Sequence, residues 1–227
     1  MSATRLVLCT FLVLITASIY YWQMPQTASE PSPVLEGQVG GKTSPDGNAE
    51  IACDLPGNLH TKNIASRGLG MCSFVSLHHA ATWQNVRACE NIHLWMKEKG
   101  IPGGGYPKKV EEMITRISQE RGMPVPEFLN IESNDLDILK LASRTGRMPC
   151  VTYSYSPSGR YGRRRIAHMV NLVYADDKWF CVLDNNYPGE ENYEWMTPEE
   201  FKRSYTGLGG GWCVIFLDGP PPPPPKN

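Results

Sequence analysis

Residues 168–189 read HMVNLVYADDKWFCVLDNNYPG. Two runs rich in β-branched, aromatic and aliphatic residues, 167–174 and 179–184, flank Asp176-Asp177, a pair suited to a tight turn. The stretch therefore predicts a β-hairpin whose return strand ends on Asp184-Asn185-Asn186, beside His168 at its start. A histidine with a carboxylate or amide at its side can hold one tautomer and pass a proton.

Segments 150–155 and 211–217 share the period of two and read as further strands. Upstream the period is helical. Residues 72–87 (CSFVSLHHAATWQNVR) leave the turn Gly68-Leu69-Gly70, and 90–99 continue as a second helix stopped by Gly100 and Pro102. Residues 107–121 carry Val110, Met113, Ile114 and Ile117 on one face, 134–144 form another helix before Gly146, and Thr197-Pro198-Glu199-Glu200 reads as a capping box opening a last one. The order predicts an α+β domain, an N-terminal helical half followed by an antiparallel sheet.

Seven cysteines without a CxxC pair do not make a zinc site. Among them Cys72 stands at a predicted helix N-terminus after a glycine-rich turn. Unpaired N–H groups and the helix dipole favour a thiolate there. With His168 as base and one of Asp184, Asn185 or Asn186 to orient it, the chain holds the three roles of a thiol nucleophile site. Cys89 and His93, four apart, read as a helix face and not as metal ligands. Gly103-Gly104-Gly105 lacks the Lys-Ser/Thr follower of a phosphate loop and reads as a turn.

The segment 68–85 and the hairpin 166–189 resemble the papain-like cysteine peptidases, including the double-glycine type that processes bacteriocins. The RGLGMC turn, the IAHMVNLV strand, the LDNN turn and a proline tail are also similar to those of bacterial, planctomycetal proteins. The peptidase resemblance implies a papain-like cysteine proteinase fold over 52–218 and cleavage of a peptide or amide bond without cofactor or metal. It implies Cys72 as nucleophile, His168 as proton carrier and Asp184, sixteen positions on, as orienting residue, with Asn185 as substitute. Family members commonly carry a glutamine about six residues before the cysteine as an oxyanion donor. That position is Ser66 here, so Ser66 or Asn63, with the backbone N–H of Cys72, is expected to serve. The same residues admit acyl transfer to an amine, and the fold admits a non-catalytic binding domain.

Charge narrows the partners. With 22 Lys+Arg against 23 Asp+Glu the net charge is −1, so no field recommends a nucleic acid, and a peptide or protein substrate is what the peptidase resemblance implies. The loop 158–165 (SGRYGRRR) places Arg163, Arg164 and Arg165 just ahead of His168, where they are expected to border the site and bind acidic substrates.

The ends read separately. Residues 6–22 (LVLCTFLVLITASIYYW) carry no charge and follow Arg5, which makes 1–23 an N-terminal membrane anchor with the domain outside the cytoplasm. The alternative is a signal peptide cleaved after Ala17 or Ala28, giving a secreted protein. Residues 24–51 read as a flexible linker and 219–227 as a polyproline tail.

Overall fold

Ten of the thirteen residues of helix α1, Cys72–Gln84, are buried. Its side chains are apolar or hydrogen-bonded on almost every side, which places a helix inside a core and not on its surface. The structure, a computed structural model, describes residues 37–217. The expected anchor, the proline tail and 24–36 of the expected linker lie outside the described residues. Among the described residues no helix is long and apolar enough to cross a membrane.

The protein is α+β, with five α-helices and a seven-stranded sheet among the described residues. After α1 come α2 (Ile92–Glu98), α3 (Pro107–Glu120), α4 (Asp137–Arg144) and α5 (Pro198–Thr206). The strands are β1 (Gln38–Gly40), β2 (Ala65–Ser66), β3 (Leu69–Gly70), β4 (Phe128–Glu132), β5 (Cys150–Tyr153), β6 (His168–Ala175), β7 (Phe180–Leu183), β8 (Tyr193–Met196) and β9 (Trp212–Phe216). The sheet order is β1-β8-β7-β6-β5-β9-β4, with antiparallel neighbours throughout, and β2-β3 form a separate two-residue hairpin. The expected helix over 72–87 ends at Gln84, because Asn85 takes the left-handed conformation at φ 59°. The capping box is present: Glu200 N–H donates to the Thr197 hydroxyl, and Thr197 N–H donates to Glu200 Oε2 at 2.8 Å.

Helices cover both faces of the sheet. Cys150 and Met169 join one buried cluster with α1, α2 and α3, while Val151 and Val170 face a second cluster with Leu139 of α4 and Phe201 and Tyr205 of α5. Strands β7, β8 and β9 are consequently buried at every residue.

Two expectations need correction. The linker does not extend to residue 51: β1 pairs with β8 through Gln38↔Trp195, Trp195 Nε1 donates to Gly41 O at 3.0 Å, and Ile51 is in the core. Nor does the sheet come only after the helices, since both edge strands, β1 and β4, precede α4 in the chain. What positions the site is the centre: β6 is the middle strand, and α1 lies against it with Ser76 Oγ donating to Met169 O at 3.1 Å.

Candidate active site

Cys72 is the first residue of α1. Met71, ahead of it, supplies no side-chain cap, and the Ser73 backbone N–H of the first turn faces the Cys72 sulfur. A second glycine turn, Gly103-Gly104-Gly105, packs against the entry to the helix too closely for side chains at Gly103 and Gly105. A Cβ on Gly103 would lie 2.2 Å from Leu69 O, and one on Gly105 would lie 2.2 Å from Ser73 Oγ. The Gly103-Gly104-Gly105 turn thus forms one wall of the approach to the sulfur.

His168, the first residue of β6, meets the thiol. Its Nε2 donates to Asp184 Oδ1 at 2.8 Å, and the ring is hydrogen-bonded to Cys72, which leaves Nδ1 for the sulfur. Asp184 follows β7 and is fully buried, yet three donors hold its charge. His168 and the Asn186 backbone N–H (2.8 Å) bond Oδ1, and the Tyr161 hydroxyl bonds Oδ2 at 2.6 Å. Burial alone would raise the Asp184 pKa, but the His168 contact, with Tyr161 and Asn186, lowers it.

The same balance governs the other two groups. Burial pulls His168 down, but Asp184 first and Cys72 second raise it to about 9. Burial pushes the Cys72 thiol up, and the hydrogen bond and charge of His168 outweigh it, so its pKa falls below the ordinary thiol value. The other five described cysteines, Cys53, Cys89, Cys150, Cys181 and Cys213, are unpaired and buried, and burial raises every one of them, Cys89 to about 12 and Cys213 to about 11. Cys72 is therefore the single described thiol that is both partly exposed and shifted toward thiolate.

Cys72 and His168 share a cleft of about 630 Å³ that Asn63, Tyr161 and Trp212 also line. Asn63 is anchored at both ends of its amide: Oδ1 accepts from Met71 N–H at 3.1 Å, and Nδ2 donates to Asn186 Oδ1 at 3.0 Å. One of the two Nδ2 hydrogens remains, in the cleft that holds the sulfur.

The remaining expected site residues lie elsewhere. Ser66 is buried and its hydroxyl donates to Ile101 O at 2.6 Å, so it is no oxyanion donor; it ties β2 to the segment ahead of the glycine turn. Asn185 does not bond His168. Its Nδ2 lies within 3.1 Å of Cys72 O, Ser76 Oγ and Met169 O, and so pins α1 to β6. Arg163, Arg164 and Arg165 do not line the cleft. Arg164 Nε donates back to Tyr161 O, Arg165 donates to Gly207 O, and Arg163 and Arg165 line a separate depression with Arg203. Positive φ angles at Gly159, Gly162 and Arg163 turn the loop so that Tyr161 meets the site and the arginines do not.

Tyr161 is the residue sequence reasoning passed over. Its ring stands edge-on to His168 at 6.0 Å, and its hydroxyl joins Asp184 to Asn186 Nδ2 (3.0 Å). The signal was a lone aromatic in the arginine loop, masked by the charges around it. Comparison of the chain with protein-family profiles and with curated protein sequences finds no match.

Proposed function

We propose that the protein is a thiol hydrolase of peptide or amide bonds with a papain-like arrangement, acting through Cys72, His168 and Asp184. The observation that carries the reading is the continuous hydrogen-bonded chain from the Cys72 thiol through His168 to Asp184, opening on a cleft. Its helix-borne cysteine, strand-borne histidine and following carboxylate support the family resemblance of the sequence.

In this reading the Cys72 thiolate attacks the substrate carbonyl carbon. The oxyanion is held by the Cys72 backbone N–H and the free Asn63 Nδ2 hydrogen, Asn63 being the one of the two expected candidates whose donor is not spent elsewhere. His168, positively charged while the thiolate is free, gives its Nδ1 proton to the leaving nitrogen as the C–N bond breaks. A thioester on Cys72 remains. His168, now neutral, takes a proton from water as the hydroxide attacks, and the acid and thiolate separate. Asp184 and Tyr161 keep the ring oriented throughout. An amine in place of water gives acyl transfer by the same steps. With the apolar segment 6–22 ahead of it, we place this activity outside the cytoplasm and tethered to a membrane.

The test uses the full-length protein and a mixture of peptides from a digested proteome, read by mass spectrometry for new termini. The proposal expects cleavage that Cys72→Ala abolishes, and partial replacement of acid by amide products when a primary amine is added. Cleavage that persists in Cys72→Ala, or none by the wild type, contradicts it.

A further inference from the structure

The substrate cleft is not electrically neutral. Among its lining residues Glu132 is the single carboxylate, and no lysine or arginine is present. Glu132 ends β4, is exposed, and has no hydrogen bond or ion pair among the described residues. It pairs directly across the strands with Trp212. Residues opposite one another in an antiparallel pair project to the same face, so the carboxylate and the indole stand side by side. The indole is fixed, because its Nε1 donates to Asn130 Oδ1 at 2.8 Å. Gly104, Gly105 and Gly210 leave the space beside it free of side chains, and exposed Leu69, Tyr106 and Leu208 complete an apolar rim.

Sheet geometry gives the reach. Met169, next to His168, pairs with Thr152; the Thr152 hydroxyl accepts from Trp212 N–H at 3.0 Å; and Trp212 pairs with Glu132. Three strand spacings of about 4.8 Å put the Glu132 backbone about 14 Å from that of Met169. An extended peptide advances about 3.3 Å per residue, so a long side chain two or three residues from the reacting carbonyl spans the distance.

We infer that Glu132 and Trp212 form a specificity subsite for a lysine or arginine side chain, two or three residues from the bond that is cleaved. This rests on the proposed hydrolase reading and names its substrate class. The aliphatic stem lies along the indole, where a cation also gains from the ring face. The charged end pairs with Glu132, a carboxylate that otherwise faces the cleft unpaired. A glutamate or aspartate at that substrate position meets repulsion instead.

The peptide-mixture assay tests this by the residues flanking each cut. Lysine and arginine are expected to be enriched at one position within three residues of the cleaved bond. Glu132→Gln should lower kcat/KM for such peptides about tenfold, the size of one charge-assisted contact, with little change for neutral ones, and Glu132→Lys should shift the preference toward aspartate and glutamate. Cleavage without basic enrichment, or enrichment that survives Glu132→Gln, overturns the subsite and leaves the hydrolase standing. A second readout needs no turnover: the wild type should react at Cys72 faster with 2-aminoethyl methanethiosulfonate than with the 2-sulfonatoethyl reagent, and Glu132→Gln should narrow the ratio. An unchanged ratio counts against the carboxylate facing the cleft.

Discussion

Asn63 and Ser66 stand three residues apart on the approach to α1, and their hydrogen bonds separate their roles. Ser66 spends its hydroxyl on Ile101 O, whereas Asn63 keeps one amide hydrogen in the cleft. Asn63→Ala is expected to lower kcat about 100-fold, the usual cost of one oxyanion donor, while leaving the alkylation rate of Cys72 near that of the wild type. Ser66→Ala should leave kcat within a few-fold and appear in thermal stability instead. At Asp184 the effect passes through the histidine. Asp184→Asn removes the larger of the two contacts that raise His168 to about 9, so the ring should titrate well below that value even with Cys72 still beside it, as followed by proton NMR of its Cε1–H. At this scale Cys72, His168 and Asp184 were legible because each sits at a boundary the sequence marks: a glycine turn, a strand start and a strand end. Tyr161 was not, because its partner lies 23 positions away and no local pattern reports such a bond.

The junction of α1 with β6 is where element packing becomes site geometry. Asn185 holds both, donating to Cys72 O, Ser76 Oγ and Met169 O. Asn185→Ala removes buried hydrogen bonds to Cys72 O, Ser76 Oγ and Met169 O, at about 0.5–1.5 kcal/mol each. Urea unfolding should report a loss of about 2–4 kcal/mol, with the pH dependence of the remaining Cys72 reactivity unchanged, since His168 keeps Asp184. Asn185 as a substitute orienting residue would instead predict altered pH dependence at near-normal stability. The helices and the β6-β7 hairpin were readable from period and punctuation. Strand β8 was not, because it carries the buried Glu194, satisfied only by distant donors: the Tyr153 hydroxyl at 2.6 Å, the Ser156 hydroxyl at 2.7 Å and the Ser158 N–H at 2.9 Å. β1 hides in a glycine-rich stretch whose pairing partner lies more than 150 residues on. β4, an edge strand exposed at Glu132, shows too little alternation to declare itself.

Across the whole molecule, four histidines outside the site set its response to acid. His60 Nδ1 accepts from Gly189 N–H at 3.2 Å, His79 Nε2 from Thr61 N–H at 2.8 Å, and His78 Nδ1 from Asn91 N–H at 3.1 Å. Protonation of these nitrogens destroys the acceptor. Burial lowers all four rings: His78 and His93 to about 4, His79 to about 3, and His60 in the same direction. Above pH 6.5 these rings are neutral whether folded or unfolded and add no pH dependence. As pH falls from 6.5 toward 4 the unfolded chain binds protons that the fold refuses, so stability falls, by up to about 3 kcal/mol per fully resisting ring. His168 has the opposite sign: its contribution is full below 6.5 and disappears as pH rises through about 9. Urea unfolding across pH should therefore give a maximum near pH 6.5 with the steeper loss on the acid side, and a flat profile from 7 to 4 would contradict the tautomers assigned to these rings. The segments they hold, at Thr61 and Gly189, flank Asn63 and the turn that carries Asp184, which links acid unfolding to loss of the site.

The central claim is that His168, held by Asp184, makes Cys72 a thiolate near neutral pH. The rate of Cys72 alkylation by iodoacetamide, followed from pH 4 to 10 in the full-length wild type and in His168→Ala, tests it most directly. The account predicts a wild-type midpoint clearly below the ordinary thiol value of about 8.5, selective for Cys72 over the five buried cysteines, and a clear upward shift in His168→Ala, where only the Met169 and Ser73 backbone contacts still oppose burial. A midpoint at or above the ordinary value, unmoved by His168→Ala, would contradict it.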